Sequence, residues 1–381
     1  MRHQNSVFHS VLKHLPWEAF EQLVEQHGSD RRQRGFTTKT HLVALLYGQL
    51  SGAQSLREIQ AALSSHEQQR YHLGIGEVRR SSLAEANRYR PSALFADLLA
   101  RMMKQAHRGL RRKLGGATYL IDSSTMSLNA RSTQWARFSA EVCGVKMHIV
   151  YDPDADQPIY SAVTASNAHD ITAAKAMPIE PGATYVFDLG YYDYAWWAAL
   201  DAQGCRLVTR FKRNTPLTVT ETRSVPPGGN VLSDRIGHLP ARQAKNRKNP
   251  FCKAVREVQV KIDTGKVLRI LTNDLEATAQ EIADLYKRRW AIELFFRWVK
   301  QTLRITQFLG TSENAVRIHI AVALIAFLLL RLAQATTQTV LLSPLLFARI
   351  VRANLMHRRD LRTLLKPDQA SPPNRDQLVL I

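Results

Sequence analysis

The sequence predicts an α/β protein: a mixed sheet with flanking helices and a β-rich insertion, preceded by an all-helical N-terminal segment. Three observations carry this. Residues 1–113 fall into amphipathic stretches punctuated by Pro and Gly. At ATYLIDSSTMSL (Ala117–Leu128) the apolar period changes from that of a helix to that of a strand. From there short apolar strands alternate with helices as far as a long, tryptophan-rich helical text after Thr278.

The chain has 381 residues, a net charge of +20 and 45% hydrophobic residues, enough for two or three domains with real cores. With a pI near 10.2, the excess of base calls for a polyanionic partner, nucleic acid foremost. Simple solubility or a membrane-surface preference also fits such a charge. Cys143, Cys205 and Cys252 have no CxxC spacing or histidine companions, which argues against zinc or disulfides and fits a reducing cytoplasm. The opening MRHQNSVFHSVLKHL lacks the apolar core of a signal peptide. The apolar run Ile320–Leu330, bracketed by Arg317, His319 and Arg331, is too short to cross a bilayer and reads as a buried helix.

Phe8, Leu12, Leu15, Phe20 and Leu23 make an amphipathic beginning that the SDRRQR turn ends. Helices follow over Thr38–Leu50 and Ser55–Leu63, and after HLGIG comes a basic helix, Arg79–Arg90, with Ser81 or Ser82 as cap. A short helix, a break with glycine and a basic helix form a helix-turn-helix-like DNA reader. Arg79, Arg80, Arg88 and Arg90 then face phosphates and Asn87 a base edge. A helical bundle with a solvated basic face fits the same pattern. Lys104, Arg108, Arg111, Arg112 and Lys113 form a basic approach to the next domain.

Tyr119–Ile121 is a strand that ends at Asp122, a position that also suits a simple turn former. Gly144–Asp154 alternates Val145, Met147 and Ile149 against Lys146 and His148, as a half-buried strand does. Asp152-Pro153 turns the chain, Pro158–Ala165 returns it, and Trp135–Val142 is a further candidate partner. The His169-Asp170 pair invites a metal or acid–base reading, but Asp170 at a helix start is accounted for as a cap. A second apolar strand, Thr184–Phe187, runs into Asp188 with Gly190 behind it. Helix Tyr194–Ala202 and strand Arg206–Lys212 follow. The insertion, about 213–265, then has hairpin chemistry, with Asp263-Thr264-Gly265 joining its last strands. Arg242, Lys245, Arg247, Lys248 and Lys253 suit a DNA-backbone channel, or a solvated loop.

Thr278 and Glu281 form a capping box. In the helix beyond, at about 100° per residue, Tyr286, Arg289, Glu293 and Lys300 fall within roughly 60° of one another. A carboxylate flanked by a phenol, a guanidinium and an ammonium is equipped to hold a metal beside a phosphodiester. On spacing alone, the stripe also fits a core helix whose charged edge faces water. Beyond it come a turn at Gly310–Val316, an apolar helix over 316–335, more helix over Pro344–Leu365 and a loose, proline-rich end.

Tyr-x2-Arg-x3-Glu-x6-Lys resembles the YREK signature of the insertion-sequence transposases of the IS-four group, DDE enzymes with a ribonuclease-H-like catalytic domain. Asp122-Ser-Ser-Thr and Asp188-x-Gly-Tyr are similar to that family's two aspartate sites, and SGAQSLREIQAAL with HLGIG to its N-terminal helical domain. The resemblance implies Asp122, Asp188 and Glu293 as catalytic residues holding two Mg2+ (or Mn2+), with Tyr286, Arg289 and Lys300 on phosphates. It implies double-stranded DNA as partner, namely the element's terminal inverted repeats and a target, and a homodimer on that DNA in the bacterial cytoplasm, at the nucleoid, with no membrane. The domains expected are 1–113, 114–335 and 336–381. Some relatives stack a displaced base on a Trp in the insertion; none occurs between Arg213 and Thr264, so Phe251 is the substitute or the device is missing. Two rival readings are a non-catalytic DNA-binding regulator and a nuclease that only hydrolyses.

Overall fold

The computed structural model describes residues 5–31, 33, 35–110, 116–128, 132, 135, 143–244, 247–303, 305, 308–337, 343–362 and 364. Its contacts divide the chain into two compact units. One comprises residues 1–102, 302–310 and 314–381; the other comprises 103–301 and 311–313.

The first unit is helical: α1 (Val7–Leu12), α2 (Trp17–Gln26), α3 (Thr38–Ser51), α4 (Leu56–Ser65), α5 (Glu67–His72), α6 (Arg80–Tyr89) and the start of α7 (Ser92–Leu110). Three begin where a hydroxyl caps the first turn: Ser6, Thr37 and Ser55 accept from the third amide onward. The cap of α6 is Arg79, without a side-chain bond, rather than the expected serines. Helix α3 stops at Gly52, whose φ of 79° is the left-handed conformation that favours glycine.

The long apolar helix groups with these N-terminal helices. It is apolar around its whole girth and needs neighbours on every side. Asn314, near its start, donates to the carbonyls of Asn87 (3.0 Å) and Arg90 (2.6 Å).

The second unit is built on one nine-stranded sheet. Its strands are β1 (Thr118–Ser127), β2 (Gly144–Asp152), β3 (Gln157–Ala165), β4 (Thr184–Phe187), β5 (Arg206–Arg210), β6 (Thr218–Arg223), β7 (Val231–His238), β10 (Val255–Lys261) and β11 (Val267–Thr272), while β8 (Arg242–Ala244) and β9 (Arg247–Lys248) pair apart. The order is β3-β2-β1-β4-β5-β11-β10-β7-β6. Strands β1, β4 and β5 run parallel; β2 pairs antiparallel with β1, and β3 antiparallel with β2. This is the ribonuclease-H-like arrangement. The insertion is not a separate body, for β11, β10, β7 and β6 continue the sheet beyond β5.

One face of the sheet buries Tyr119, Ile121, Tyr185, Phe187 and Leu207 under α8 (Asp170–Ala176) and α9 (Tyr194–Ala202), whose Trp196 and Trp197 join that core. Helix α10 (Ala279–Arg288) lies across β4, β5, β7, β10 and β11. Helix α11 (Trp290–Thr302) brings Phe295 to within 5.0 Å of the Tyr151 ring of β2. All of the expected strand at Trp135–Val142 but Trp135, most of the basic approach (Arg111–Lys113) and the proline-rich end lie outside the described residues.

Helices α12 (Glu313–Thr336) and α13 (Pro344–Ala353) complete the chain. At 24 residues α12 is longer than expected and apolar enough to cross a membrane, yet 83% of its apolar window is buried in the protein.

Candidate active site

Asp122 and Asp188 stand side by side because two strands pair in parallel. The last matched residues of β1 and β4 are Ile121 and Phe187, so each aspartate is the next residue on a neighbouring strand, about 5 Å across the ladder. Asp122 is not at the end of its strand, as expected, for β1 runs on to Ser127 against β2. What ends there is β4, which turns away at Asp188 into a short 3-10 turn, Leu189–Tyr191. The Asp188 carboxylate accepts the Gly190 amide at 2.8 Å and so fastens that turn.

The expected single helix from Tyr286 to Lys300 is broken at Arg289. Bonds of i to i+3 type, Arg289 N–H to Tyr286 and Ile292 N–H to Arg289, tighten the chain there, so Tyr286 lies in the last turn of α10 while Glu293 and Lys300 lie on α11. Arg289 sits at the joint and reaches two carboxylates. Its Nη1 is 3.3 Å from Asp122 Oδ2, and its Nη2 donates to Glu293. Lys300 donates to the Thr125 carbonyl at 2.9 Å, three residues along β1 from Asp122. Thus β1, the end of β4 and the α10–α11 joint bring together Asp122, Asp188, Glu293, Tyr286, Arg289 and Lys300.

The electrostatics follow from crowding. Burial, and then the charges of Asp188 and Glu293, push the Asp122 carboxyl up to about 6, against the pull of the Ser123 amide and Arg289. Burial lowers Arg289, but Tyr286, Glu293 and Asp122 outweigh it and hold the guanidinium above its ordinary value. Burial likewise raises the Tyr286 phenol and lowers the Lys300 ammonium. The three carboxylates offer only hard oxygen donors, a set that suits Mg2+ or Mn2+. Among the described residues, however, no three Asp, Glu, His or Cys side chains are grouped closely enough to hold a metal ion. The Arg289 guanidinium supplies the positive charge between Asp122 and Glu293.

In the helical unit, Arg79, Arg80 and Arg88 are exposed, as a DNA-facing role requires. Asn87 is not: it is 5% exposed and its side-chain oxygen is 2.8 Å from His41 Nε2, so its side chain is engaged inside the unit. Arg90 is buried too, donating to the carbonyls of Phe36 and Thr37. In the insertion, Arg242, Arg247 and Lys248 are exposed and Lys245 lies outside the described residues. Arg247 is already engaged, 2.6 Å from the buried Asp193. Phe251 is 4% exposed and part of the core, which withdraws it as a stand-in for a base-stacking Trp.

Sequence reasoning missed the roles of two residues. Asp170 does not cap its helix; its carboxylate takes the Ser123 hydroxyl at 2.7 Å and the Lys146 ammonium at 3.0 Å. Gln243 ties the insertion to the segment after Asp188, accepting the Tyr194 amide and donating to the Tyr192 carbonyl, both at 2.9 Å. The His169-Asp170 pair was visible as a motif, but nothing local signals Gln243.

Residues 114–329 match the family described as "Transposase DDE domain". The chain belongs to the DDE transposase family. Residues 3–76 of this transposase match a "Domain of unknown function (DUF4372)". It is 38% identical over 297 residues to a putative transposase, y4zB, of Sinorhizobium fredii, covering 77% of this chain and 82% of that one. It is 30% identical over 268 residues to a probable transposase for insertion sequence element IS5377 of Geobacillus stearothermophilus, covering 68% of each. Among solved structures, a piggyBac transposase synaptic complex with hairpin DNA aligns with 97% of this chain and 84% of that one. Its TM-score is 0.50 at 11% identity, a likeness of fold.

Proposed function

We propose that this transposase cuts and joins DNA at the ends of an insertion sequence of the IS-four group, with Asp122, Asp188 and Glu293 as its catalytic carboxylates and metal ligands. The observation that carries this is the shared field at Asp122. Burial first, and then two further carboxylates, Asp188 on the neighbouring strand and Glu293 on α11, raise its proton affinity, a repulsion that dications would relieve. Asp122, Asp188 and Glu293 would hold two Mg2+ or Mn2+ ions, which would supply an activated water or 3′-hydroxyl for in-line phosphoryl transfer. With Asp122 and Glu293 holding a metal, Arg289, which bonds both carboxylates in this structure, would be free to bond a phosphate oxygen. Lys300, carried one face along α11, neutralises a second phosphate, and the Tyr286 phenol, kept protonated by burial, donates to one. Exposed Arg79, Arg80 and Arg88 hold the backbone of the terminal repeats, and Arg242, Lys245 and Lys248 that of flanking or target DNA; Arg247 instead anchors the insertion.

The test is cleavage of the element's own ends in Mg2+. Asp122→Ala, Asp188→Ala and Glu293→Ala proteins should bind end DNA yet leave it uncut. An Asp188→Ala protein as active as wild type overturns the assignment, and binding without end preference favours a plain nuclease.

A further inference from the structure

We infer that Asp170 is a positioning residue for the same reaction, fixing the Asp122 carboxylate through Ser123. The inference rests on the catalytic role proposed for Asp122.

Strand geometry places Ser123 between two aspartates. Side chains alternate along β1, so Asp122 lies on one face of the sheet and Ser123 on the other, with His148 of β2 directly opposite Ser123. From its own backbone Ser123 donates its amide to Asp122 Oδ1 at 2.7 Å, and from its side chain it donates its hydroxyl to Asp170 Oδ1, also at 2.7 Å. The amide sets where Asp122 points; the hydroxyl bond holds the residue that carries the amide. Asp170 is held in turn by Lys146 at 3.0 Å, whose ammonium also donates to the Ala168 carbonyl at 3.0 Å. His148 Nδ1 stands 3.7 Å away.

Two more features aim this group at the site rather than at the helix it begins. The N-cap of α8 is His169, without any side-chain cap bond, so the helix start does not explain the carboxylate. And Gly190, two residues after Asp188, leaves a gap that both aspartates share. A Cβ placed there meets Asp188 Oδ1 at 3.0 Å and Asp170 Oδ2 at 3.1 Å. The Tyr191 hydroxyl is buried beside Ser123, within the combined field of Asp170, Asp122 and Asp188. Helix α8 thereby supports from behind the sheet a pair of carboxylates that work on its front.

The experiment is a double-mutant cycle on single-turnover cleavage of end DNA, using Asp170→Asn, Ser123→Ala and both together. Each single change should slow cleavage by about 10- to 100-fold, the pair should be no slower than the worse single, and end-DNA affinity should hold. Mn2+ affinity of the free protein, read by paramagnetic resonance, should fall in all three. Full cleavage and Mn2+ binding by Asp170→Asn overturn the proposal, as do strictly multiplicative losses. Should Asp170→Asn fail to fold, Ser123→Ala decides alone, wild-type cleavage counting against. An active Asp170→Asn beside a dead Asp188→Ala removes only the positioning role, whereas activity in both removes the catalytic reading itself.

Discussion

Arg289 Nη1 lies 3.3 Å from Asp122 Oδ2, joining two residues 167 positions apart in the chain. The same guanidinium holds Glu293. One side chain therefore balances two carboxylates that would otherwise face each other with only Asp188 for company.

Removing that balance has a measurable cost. Arg289→Ala is expected to lower the cleavage rate by about 10²-fold, the usual effect of losing one preorganised donor to a reacting phosphate. Because Arg289 pulls the Asp122 carboxyl down, the acid limb of the rate profile should also move to higher pH. A profile that keeps its acid limb in place contradicts the pairing.

Asp122 makes a pH prediction with a definite sign. Its folded-state value of about 6 exceeds the ordinary 3.8, so its contribution to stability is full below 3.8 and is lost as pH climbs through 6. Without divalent ions the protein should be more stable at pH 5 than at pH 8 in this respect. Asp122→Asn should gain on the order of 2–3 kcal/mol at pH 8 in chemical denaturation while losing cleavage. Added Mg2+ should stabilise wild type at pH 8 and do little for the Asn variant.

The helical unit separates surface from core. Alanine at Arg79, Arg80 and Arg88 together should weaken end-DNA binding and flatten its salt dependence by roughly one unit of log–log slope per lost phosphate contact. Asn87→Ala should instead destabilise the fold by about 1–3 kcal/mol, since it leaves His41 without its partner in the interior. Calorimetry and salt-dependent binding assays on these two variants distinguish the two effects.

Gln243→Ala should unfasten the β8–β9 arm from Tyr192 and Tyr194. Expected are a loss of about 1–3 kcal/mol for the two deserted backbone groups and faster proteolysis within 240–250. An arm that stays protected shows that Arg247 and Asp193 suffice to hold it.

Much of this protein is written locally. The apolar strands before Asp122 and Asp188, the Thr278–Glu281 capping box and the alternation through Gly144–Asp152 depend on neighbours a few residues away, and all took the form that their period and caps require. Other features depend on partners far off in the chain, which no period encodes. Parallel pairing of β1 with β4, not a strand end, sets Asp122 beside Asp188. A tightened joint at Arg289 splits one expected helix in two. A basic helix that looks uniformly solvated buries Asn87 and Arg90 through bonds to His41 and to the carbonyls of Phe36 and Thr37. Asp170, legible only as a cap, turns to Ser123 once the sheet brings them together. Composition and spacing determined which chemistry the chain carries; packing decided which side chains meet to perform it, because a hydrogen bond or an ion pair is made by distance in space and not by distance in sequence.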